Sequence, residues 1–183
     1  MTQRTSFASR LRVLTGVALL GLLSACSTID RGTAPALEAN ASWAVLPFEN
    51  HTETPMAGNR AAAIAAALLN ARGIGSVKRY SGDALQETLF DGRDTRRRDD
   101  ALAWARGEGV RYALLGAVDE WRYKVGVDGE PAVGVALEIV DVGTGATVWS
   151  GTGGQSGWSR EALSAVGQKL IRNLLGTGLA NAR

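Results

Sequence analysis

The sequence predicts an α/β domain built on a single mixed sheet, with a β-α-β first half, an antiparallel meander in the second half and a C-terminal helix packed on the sheet. Three observations predict this class. An Ala-rich segment of helical character lies between two short apolar runs in the first half. Three strand-like runs separated by Gly-containing turns follow. Near the C-terminus, apolar residues recur at three- and four-residue spacing, which is typical of one helix face.

The first half alternates strands and helices. The apolar run from Ser42 to Phe48 has the length of a strand, and its Pro lies near the end, where a missing N–H is tolerated. The range from Thr54 to about Arg72 is predicted to be a helix, because it opens on an N-cap Thr followed by Pro at the first helical position. Val77 to Tyr80 is a short candidate strand. Helices from Ser81 to about Phe90 and from Thr95 to about Glu108 complete this half.

The second half reads as three strands and a helix. The strands are predicted at Arg111 to about Lys124, Ala132 to about Val142 and Thr147 to about Gly153. The last two alternate strongly between apolar and polar residues, which indicates one buried face. Ser159 then caps a predicted helix that Gly176 ends.

The N-terminal segment has the layout of a secretory signal peptide. Met1 to Ala25 begins with Arg residues and no acid, and continues with an apolar run from Val13 to Leu23 followed by small residues. The run has eleven residues, whereas a membrane-spanning helix needs about 20. We therefore interpret residues 1–25 as a lipoprotein signal peptide that is removed.

The end of this segment predicts a lipid anchor. Leu23-Ser24-Ala25-Cys26 resembles the bacterial lipobox, whose Cys is acylated on sulfur and becomes the new N-terminus; the alternative is an ordinary signal peptide with an incidental Cys. Ser27 follows, rather than the Asp typical of inner-membrane retention, so we expect anchoring in the outer membrane. Residues 26–41 would form the lipidated Cys and a flexible tether spanning roughly 20 Å. Residues 42–183 would form one periplasmic domain.

The excess of basic over acidic residues in the whole chain comes from the predicted signal peptide. The chain has a formal charge of +2 and a pI near 9.0. Beyond residue 26, however, 17 basic residues face 18 acidic ones, which gives a formal charge of −1. A nucleic-acid-binding role is therefore excluded, because it needs a basic field. The single Cys and single His exclude a disulfide framework and a Cys/His zinc site, and no metal or other cofactor is predicted.

Catalytic signals are weak. His51 is the only His and lies in a polar loop after the first predicted strand, where a surface role is expected. The run from Gly153 to Gly157 superficially suggests a nucleophile elbow, but Trp158 occupies the position of its final Gly. The Gly-rich run also lacks the Lys and Ser/Thr of a phosphate-binding loop. We therefore predict that the protein is not an enzyme.

Two groups of residues are candidates for binding. Acids, bases and aromatic residues alternate in the segment from Asp119 to Lys124, which is either an exposed strand with paired charges or a polar surface for a partner, a neighbouring subunit or a sugar chain. The acidic candidates are Asp119, Glu120, Asp128 and Glu130. Trp149 and Trp158 lie beside Ser, Thr and Gly, and are candidates for membrane or subunit contact as well as for core packing.

Several segments resemble the PelC family of Pel exopolysaccharide export lipoproteins. They are Trp43-Ala-Val-Leu-Pro-Phe-Glu-Asn50, Thr54-Pro-Met-Ala-Gly-Asn-Arg60, Asp119-Glu-Trp-Arg-Tyr-Lys124, Val148-Trp-Ser150 and Gly157-Trp-Ser-Arg160. With the lipobox, they cover nearly the whole chain. The strand-loop-helix opening is also similar to the penicillin-binding-protein activator lipoprotein and to the curli secretion channel.

The resemblance implies a twelve-subunit ring on the periplasmic face of the outer membrane, lipid-anchored beside an export barrel protein. An acidic opening of the ring would guide a cationic, partly deacetylated amino-sugar polymer. The alternative is an activator of a penicillin-binding protein, which would have to reach through the peptidoglycan. A third possibility is a polysaccharide hydrolase, which needs two carboxylates about 5 to 10 Å apart.

Overall fold

The computed structural model describes residues 27–38, 40–80, 94–126 and 129–182. Its strands and helices follow in this order: β1 Ser27–Arg31, β2 Trp43–Val45, β3 Glu49–Asn50, α1 Ala57–Ala71, β4 Val77–Arg79, α2 Asp94–Gly107, β5 Tyr112–Tyr123, β6 Pro131–Asp141, β7 Thr147–Ser156 and α3 Leu163–Gly178. Among these helices, none combines the length and the apolar character needed to cross a bilayer.

All seven strands form one mixed sheet, so the predicted fold class is confirmed. The strand order is β1-β7-β6-β5-β2-β4, and β3 also pairs with β5. β2 is parallel to β4 and β5, as a β-α-β crossover requires. β5 pairs antiparallel with β6, β6 with β7, and β7 with β1. α1 and α3 pack against one face of the sheet, while α2 packs against the other.

The first strand corrects the predicted tether and the predicted domain start at residue 42. Residues Ser27 to Arg31 form β1, which pairs antiparallel with β7 over five residue pairs, from Ser27 opposite Gln155 to Arg31 opposite Gly151. Ile29 packs against the core, and Leu37 is buried. The segment is polar enough to resemble a linker, and its strand forms because β7 offers an unpaired edge.

In the first half, the structure contains α1 and α2 as predicted, but their boundaries differ from the predicted ones. α1 begins at Ala57 rather than at Thr54, because Met56 takes a left-handed conformation (φ 62°) at the N-cap position. Thr54 donates its hydroxyl hydrogen to the carbonyl of Trp121 instead of capping the helix. α2 lies within one residue of its predicted range. The helix predicted from Ser81 to Phe90 lies outside the described residues.

In the second half, the three predicted strands are confirmed, and β7 continues to Ser156. The last helix begins at Leu163, so Ser159 is not its cap. Arg160 has a φ of 68°, which turns the chain before the helix. α3 also continues through Gly176 to Gly178.

Two indole rings rest against Gly residues of α3. A Cβ atom on Gly167 would lie 2.5 Å from the ring of Trp121, and one on Gly178 would lie 2.9 Å from the ring of Trp149. Both rings are buried, at 2% and 3% exposure. Real carbon atoms do not approach that closely without strain, so only Gly lets the helix lie directly on these rings.

We expect Gly167→Ala to destabilise the protein. The added methyl group meets the Trp121 ring, and overpacking of this kind costs about 1–3 kcal/mol, more than the gain of up to about 1 kcal/mol in helix propensity. Gly107→Ala is the matched control, because a Cβ there has no neighbour within 4 Å. It should leave the free energy of unfolding unchanged or raise it by up to about 1 kcal/mol. Urea unfolding measures both, and equal stabilities would contradict the packing argument.

Candidate functional site

The candidate acids of β5 lie at a β-bulge. The register between β5 and β6 shifts between Val118 and Glu120. A Cβ atom on Gly134 would lie 3.3 Å from the Cβ of Glu120 and 3.9 Å from the Cβ of Asp119, so both acids lie on the same side of the sheet. Strict alternation along a strand would place Asp119 and Trp121 on one face. The bulge corrects this by placing the two acids together and Trp121 in the core.

Asp119 binds the single His of the chain. Nδ1 of His51 lies 2.9 Å from Oδ1 of Asp119, and Nε2 lies 3.2 Å from Oε2 of Glu49. Both ring nitrogens must be protonated to donate to two carboxylates at once. The hydrogen bond to Asp119 is the largest cause that raises the pKa of His51, while partial burial opposes it. His51 is exposed, as predicted for a surface loop, and it partly neutralises the two acids.

The other candidate acids differ in their surroundings. Glu120 forms an ion pair of 3.0 Å with Nε of Arg122. Glu130 is exposed, and its side chain forms no hydrogen bond or ion pair with the described residues, although its carbonyl accepts a 2.7 Å hydrogen bond from the N–H of Lys124. Asp128 lies outside the described residues. Glu130 is thus the candidate most available to a cationic ligand.

Two further acids share the face of the sheet that carries Asp119 and Glu120. Ile29 and Ile139 pack into the core on the side of α1 and α3, so the alternate residues Asp30 and Glu138 lie on the opposite face. Glu138 pairs with Arg98 of α2. We call Asp30, Asp119, Glu120 and Glu138 the acidic face. Sequence reasoning missed Asp30 and Glu138, because only the strand pairing brings them beside β5.

Much of this face is open to solvent at β1 and β7. α2 covers apolar residues of β2, β5 and β6. Thr28 and Asp30 of β1 and Ser150 and Thr152 of β7 are exposed. Gly134 of β6 pairs with Gly154 of β7, and neither has a side chain that would cover this face. Asp30 is therefore accessible over the outer strands, whereas the three acids of β5 and β6 lie in ion pairs with His51, Arg122 and Arg98.

Ser27, which directly follows the predicted anchor residue, lies at a defined end of the sheet. Cys26 itself is outside the described residues. Ser27 pairs with Gln155 near the end of β7, and Ala132 near the start of β6 pairs with Ser156. The N-terminus of β1 therefore lies at the same end of the sheet as the C-terminus of β5.

Large apolar side chains are exposed at this same end. Within the described part of the chain they are Tyr123, Val125 and Trp158, at 50%, 103% and 59% exposure. Gly157 donates its N–H to the carbonyl of Pro131 at 2.8 Å, and Pro131 pairs with Tyr123. We call these three residues the exposed apolar end. It combines exposed rings with the position of the predicted lipid.

Trp149 is a core residue, so of the two roles expected for it, core packing and contact, the structure supports core packing. Its ring is 3% exposed and packs against Gly178 and Gly151. Its indole N–H donates to the carbonyl of Gly32 at 3.3 Å. The neighbouring Ser, Thr and Gly suggested a surface, but small neighbours here make room for the ring. Trp158 is the exposed member of the pair.

The described residues contain no group of three or more His, Cys, Asp or Glu side chains that could hold a metal ion. The Glu49, His51 and Asp119 side chains are instead satisfied by one another. The arrangement thus offers exposed carboxylates at Asp30, Asp119 and Glu130, and an exposed apolar end beside the predicted anchor.

The chain is similar to solved structures. No protein-family model and no curated protein matches it. A PelC dodecamer from Paraburkholderia phytofirmans is 44% identical, with a TM-score of 0.71, and the match covers 86% of this chain and 99% of that one. A substituted PelC dodecamer from the same organism is also 44% identical, with a TM-score of 0.73 and coverage of 86% and 100%. Lipoprotein GNA1162 from Neisseria meningitidis shares the fold at 21% identity, with a TM-score of 0.52 and coverage of 78% and 99%.

We expect NMR titration to give His51 a pKa above its ordinary value of about 6.5, because Asp119 stabilises the imidazolium. The chain has one His, so its ring resonances need no assignment. Asp119→Asn should lower the pKa. Glu120→Gln is the control, since that carboxylate pairs with Arg122 instead.

The same contact makes stability depend on pH. Because the pKa of His51 is higher in the folded than in the unfolded chain, its contact with Asp119 stabilises the fold fully below about pH 6.5. This stabilisation is lost as the pH rises through the pKa of the folded state. For an exposed pair it amounts to at most about 1 kcal/mol. An unchanged titration in Asp119→Asn would contradict the assignment.

Proposed function

The chain belongs to the PelC family, and from this membership we propose that it is a non-enzymatic accessory lipoprotein for exopolysaccharide export, assembled as a ring on the periplasmic face of the outer membrane. The observation that carries this proposal is the 44% identity to PelC dodecamers over nearly their full length. The ring would guide a cationic amino-sugar polymer of the Pel type towards an outer-membrane export barrel.

A ring gives the modest charge of each subunit a larger effect. Closed rings need a heterologous interface, in which one surface contacts a different surface on the next copy. Each acid that faces the axis is then repeated in every subunit. A charged opening of this kind concentrates a ligand of opposite sign. The acids proposed to line it are Asp119, Glu120, Asp128 and Glu130, and the exposed side chains of Asp119 and Glu130 support this proposal.

The proposed anchor is Cys26, acylated at its sulfur and its new N-terminus. Stable anchoring takes more than one acyl chain, since each buried CH₂ contributes about 0.8 kcal/mol. Because β1 begins at Ser27, the lipid is joined directly to the sheet. Trp158 and Tyr123 lie at the same end, where an amphipathic ring suits the membrane interface. We therefore propose Trp158 as a membrane-contacting residue.

This attachment weighs against the alternative function. An activator of a penicillin-binding protein must extend from the outer membrane through the peptidoglycan to its target. The segment that could have served as a tether is partly taken up by β1, and Leu37 is buried beside Ala182. Pairing with β7 leaves no free length beyond Cys26, so the domain stays at the lipid surface.

We expect Cys26→Ala to remove the protein from the outer membrane and to stop polymer secretion. Without the thiol, no diacylglycerol can be attached. Intact mass spectrometry of the purified chain measures acylation, and membrane fractionation measures location. Thr28→Ala is the control, because it changes an exposed neighbour and keeps the Cys. Outer-membrane fractionation of Cys26→Ala at the wild-type level would refute the anchor.

We expect Lys substitution at all four proposed acids, Asp119, Glu120, Asp128 and Glu130, to abolish polymer secretion, because a cationic opening repels a cationic polymer. Secreted polymer is measured by lectin binding. The control has the same charge change at Glu38, Glu53, Asp99 and Asp100, which are exposed and lie outside these positions.

Sedimentation of the purified proteins in the same experiment reports assembly. The wild-type chain and both variants should sediment as rings. A wild-type monomer at high concentration would refute the ring, whereas intact rings with normal export by the four-acid variant would refute the guiding role.

A further inference from the structure

A cationic cleft lies between β1 and α3, on the face of the sheet opposite the acidic face. Its volume is about 570 Å³. Of the described residues that line it, four are cationic and none is acidic: Arg31, Arg72, Lys169 and Arg172. Ser27 and Gln155 lie at one end of the same cleft. Such a concentration of one charge favours an anionic ligand.

One of the four cations is held in place by the protein. The guanidinium of Arg72 donates from Nη1 to the carbonyl of Leu175 at 3.2 Å and from Nη2 to the carbonyl of Arg172 at 3.3 Å. A Cβ on Gly176 would lie 3.2 Å from Nη2, so Gly at this position gives the guanidinium room. An Arg has five N–H donors, and three remain for another partner. The cleft therefore contains a pre-positioned donor group.

The other cations are incompletely compensated. Lys169 pairs with Glu161 at 2.6 Å. Arg31 and Arg172 are exposed and form no ion pair with the described residues. Planar guanidinium groups bind phosphate oxygens in bidentate fashion. The donor set thus fits a phosphate group better than a single carboxylate.

The position of the cleft indicates where the phosphate comes from. Ser27 lines it and directly follows the proposed anchor. A five-residue strand extends about 13 Å from its first to its last Cα, so the Cα of Arg31 lies within about 17 Å of the lipidated residue. When β1 lies along the membrane surface, the side chain of Arg31 therefore stays beside the headgroups. Anionic headgroups attract basic residues near the surface over roughly one Debye length, about 8–10 Å. A cationic exopolysaccharide is repelled here and is therefore not the ligand.

We propose that this cleft binds the phosphate of an anionic phospholipid headgroup in the membrane that holds the anchor. The proposal rests on the proposed lipidation of Cys26, which brings the cleft to the lipid surface. The bound headgroup fixes the orientation of the domain, since the anchor alone is a single point of attachment. The α3 side then faces the lipid, and the acidic face is directed away from it.

The test uses the full chain as purified from membranes in a non-ionic detergent. Phosphatidylglycerol, phosphatidylcholine or inorganic phosphate is added, and bound lipid is measured by native mass spectrometry together with the thermal unfolding midpoint. Phosphatidylglycerol should bind and raise the midpoint. Phosphatidylcholine, which carries a compensating cation, and millimolar phosphate should not.

The variant Arg31→Gln/Arg172→Gln removes the two cations of the cleft whose side chains form neither an ion pair nor a hydrogen bond with the described residues. Each basic residue near an anionic surface contributes about fivefold to binding, so the double substitution should weaken phosphatidylglycerol binding about 25-fold. The matched control is Arg60→Gln/Arg79→Gln, which removes two exposed cations outside the cleft. It should bind as the wild type does. Unfolding midpoints without lipid verify that both variants fold.

Three results would overturn the proposal. Equal binding of inorganic phosphate would identify a site for the free anion. Unchanged phosphatidylglycerol binding in Arg31→Gln/Arg172→Gln, with loss of assembly, would identify the cleft as a contact between subunits. Equal weakening in both variants would indicate unspecific charge attraction. The intact mass of the same sample reports acylation of Cys26 separately, so a failed anchor and a failed lipid site give different results.

Discussion

The close approach of α3 to the sheet is the contact on which the rest of the structure depends. Gly167 and Gly178 let the helix rest on the rings of Trp121 and Trp149, where any Cβ would collide. Trp149 extends this contact further, because its indole N–H binds the carbonyl of Gly32, directly after β1. One buried ring thus joins the last helix to the strand that follows the proposed anchor. Loss of that packing would loosen both the core and the N-terminal edge.

The sheet also separates charges of opposite sign. Neighbouring residues of a strand face opposite sides, so Asp30 and Arg31 of β1 contribute to the acidic face and to the cationic cleft, respectively. α3 supplies further cations on one side, while the bulge of β5 adds a second carboxylate on the other. A net charge near zero therefore conceals a strongly polar molecule. For a protein proposed to lie between a membrane and a cationic polymer, this distribution matters more than the sum.

The elements with strong periodicity were predictable from the sequence, and those that depend on a distant partner were not. β5, β6, β7 and α3 carry clear apolar spacing. β1 has only Ile29 as an apolar signal and exists because β7 offers it an edge. The bulge could not be foreseen, because its pairing with Gly134 involves a different strand. The setting of Trp149 was ambiguous for a related reason: its small neighbours are typical of a surface, yet here they provide space for a buried ring.

The start of β1 at Ser27 has a mechanical consequence. A lipoprotein on a loose linker can swing and yield when its cargo moves, whereas in the anchoring proposed at Cys26 tension on the acyl chains would enter the sheet directly. Because β1 runs antiparallel to β7 over five residue pairs, a pull along the strand loads the hydrogen bonds between them together, in shear, rather than one after another. In the proposed ring, the strand next to the lipid would therefore hold each subunit at a fixed position on the membrane while the polymer moves past it.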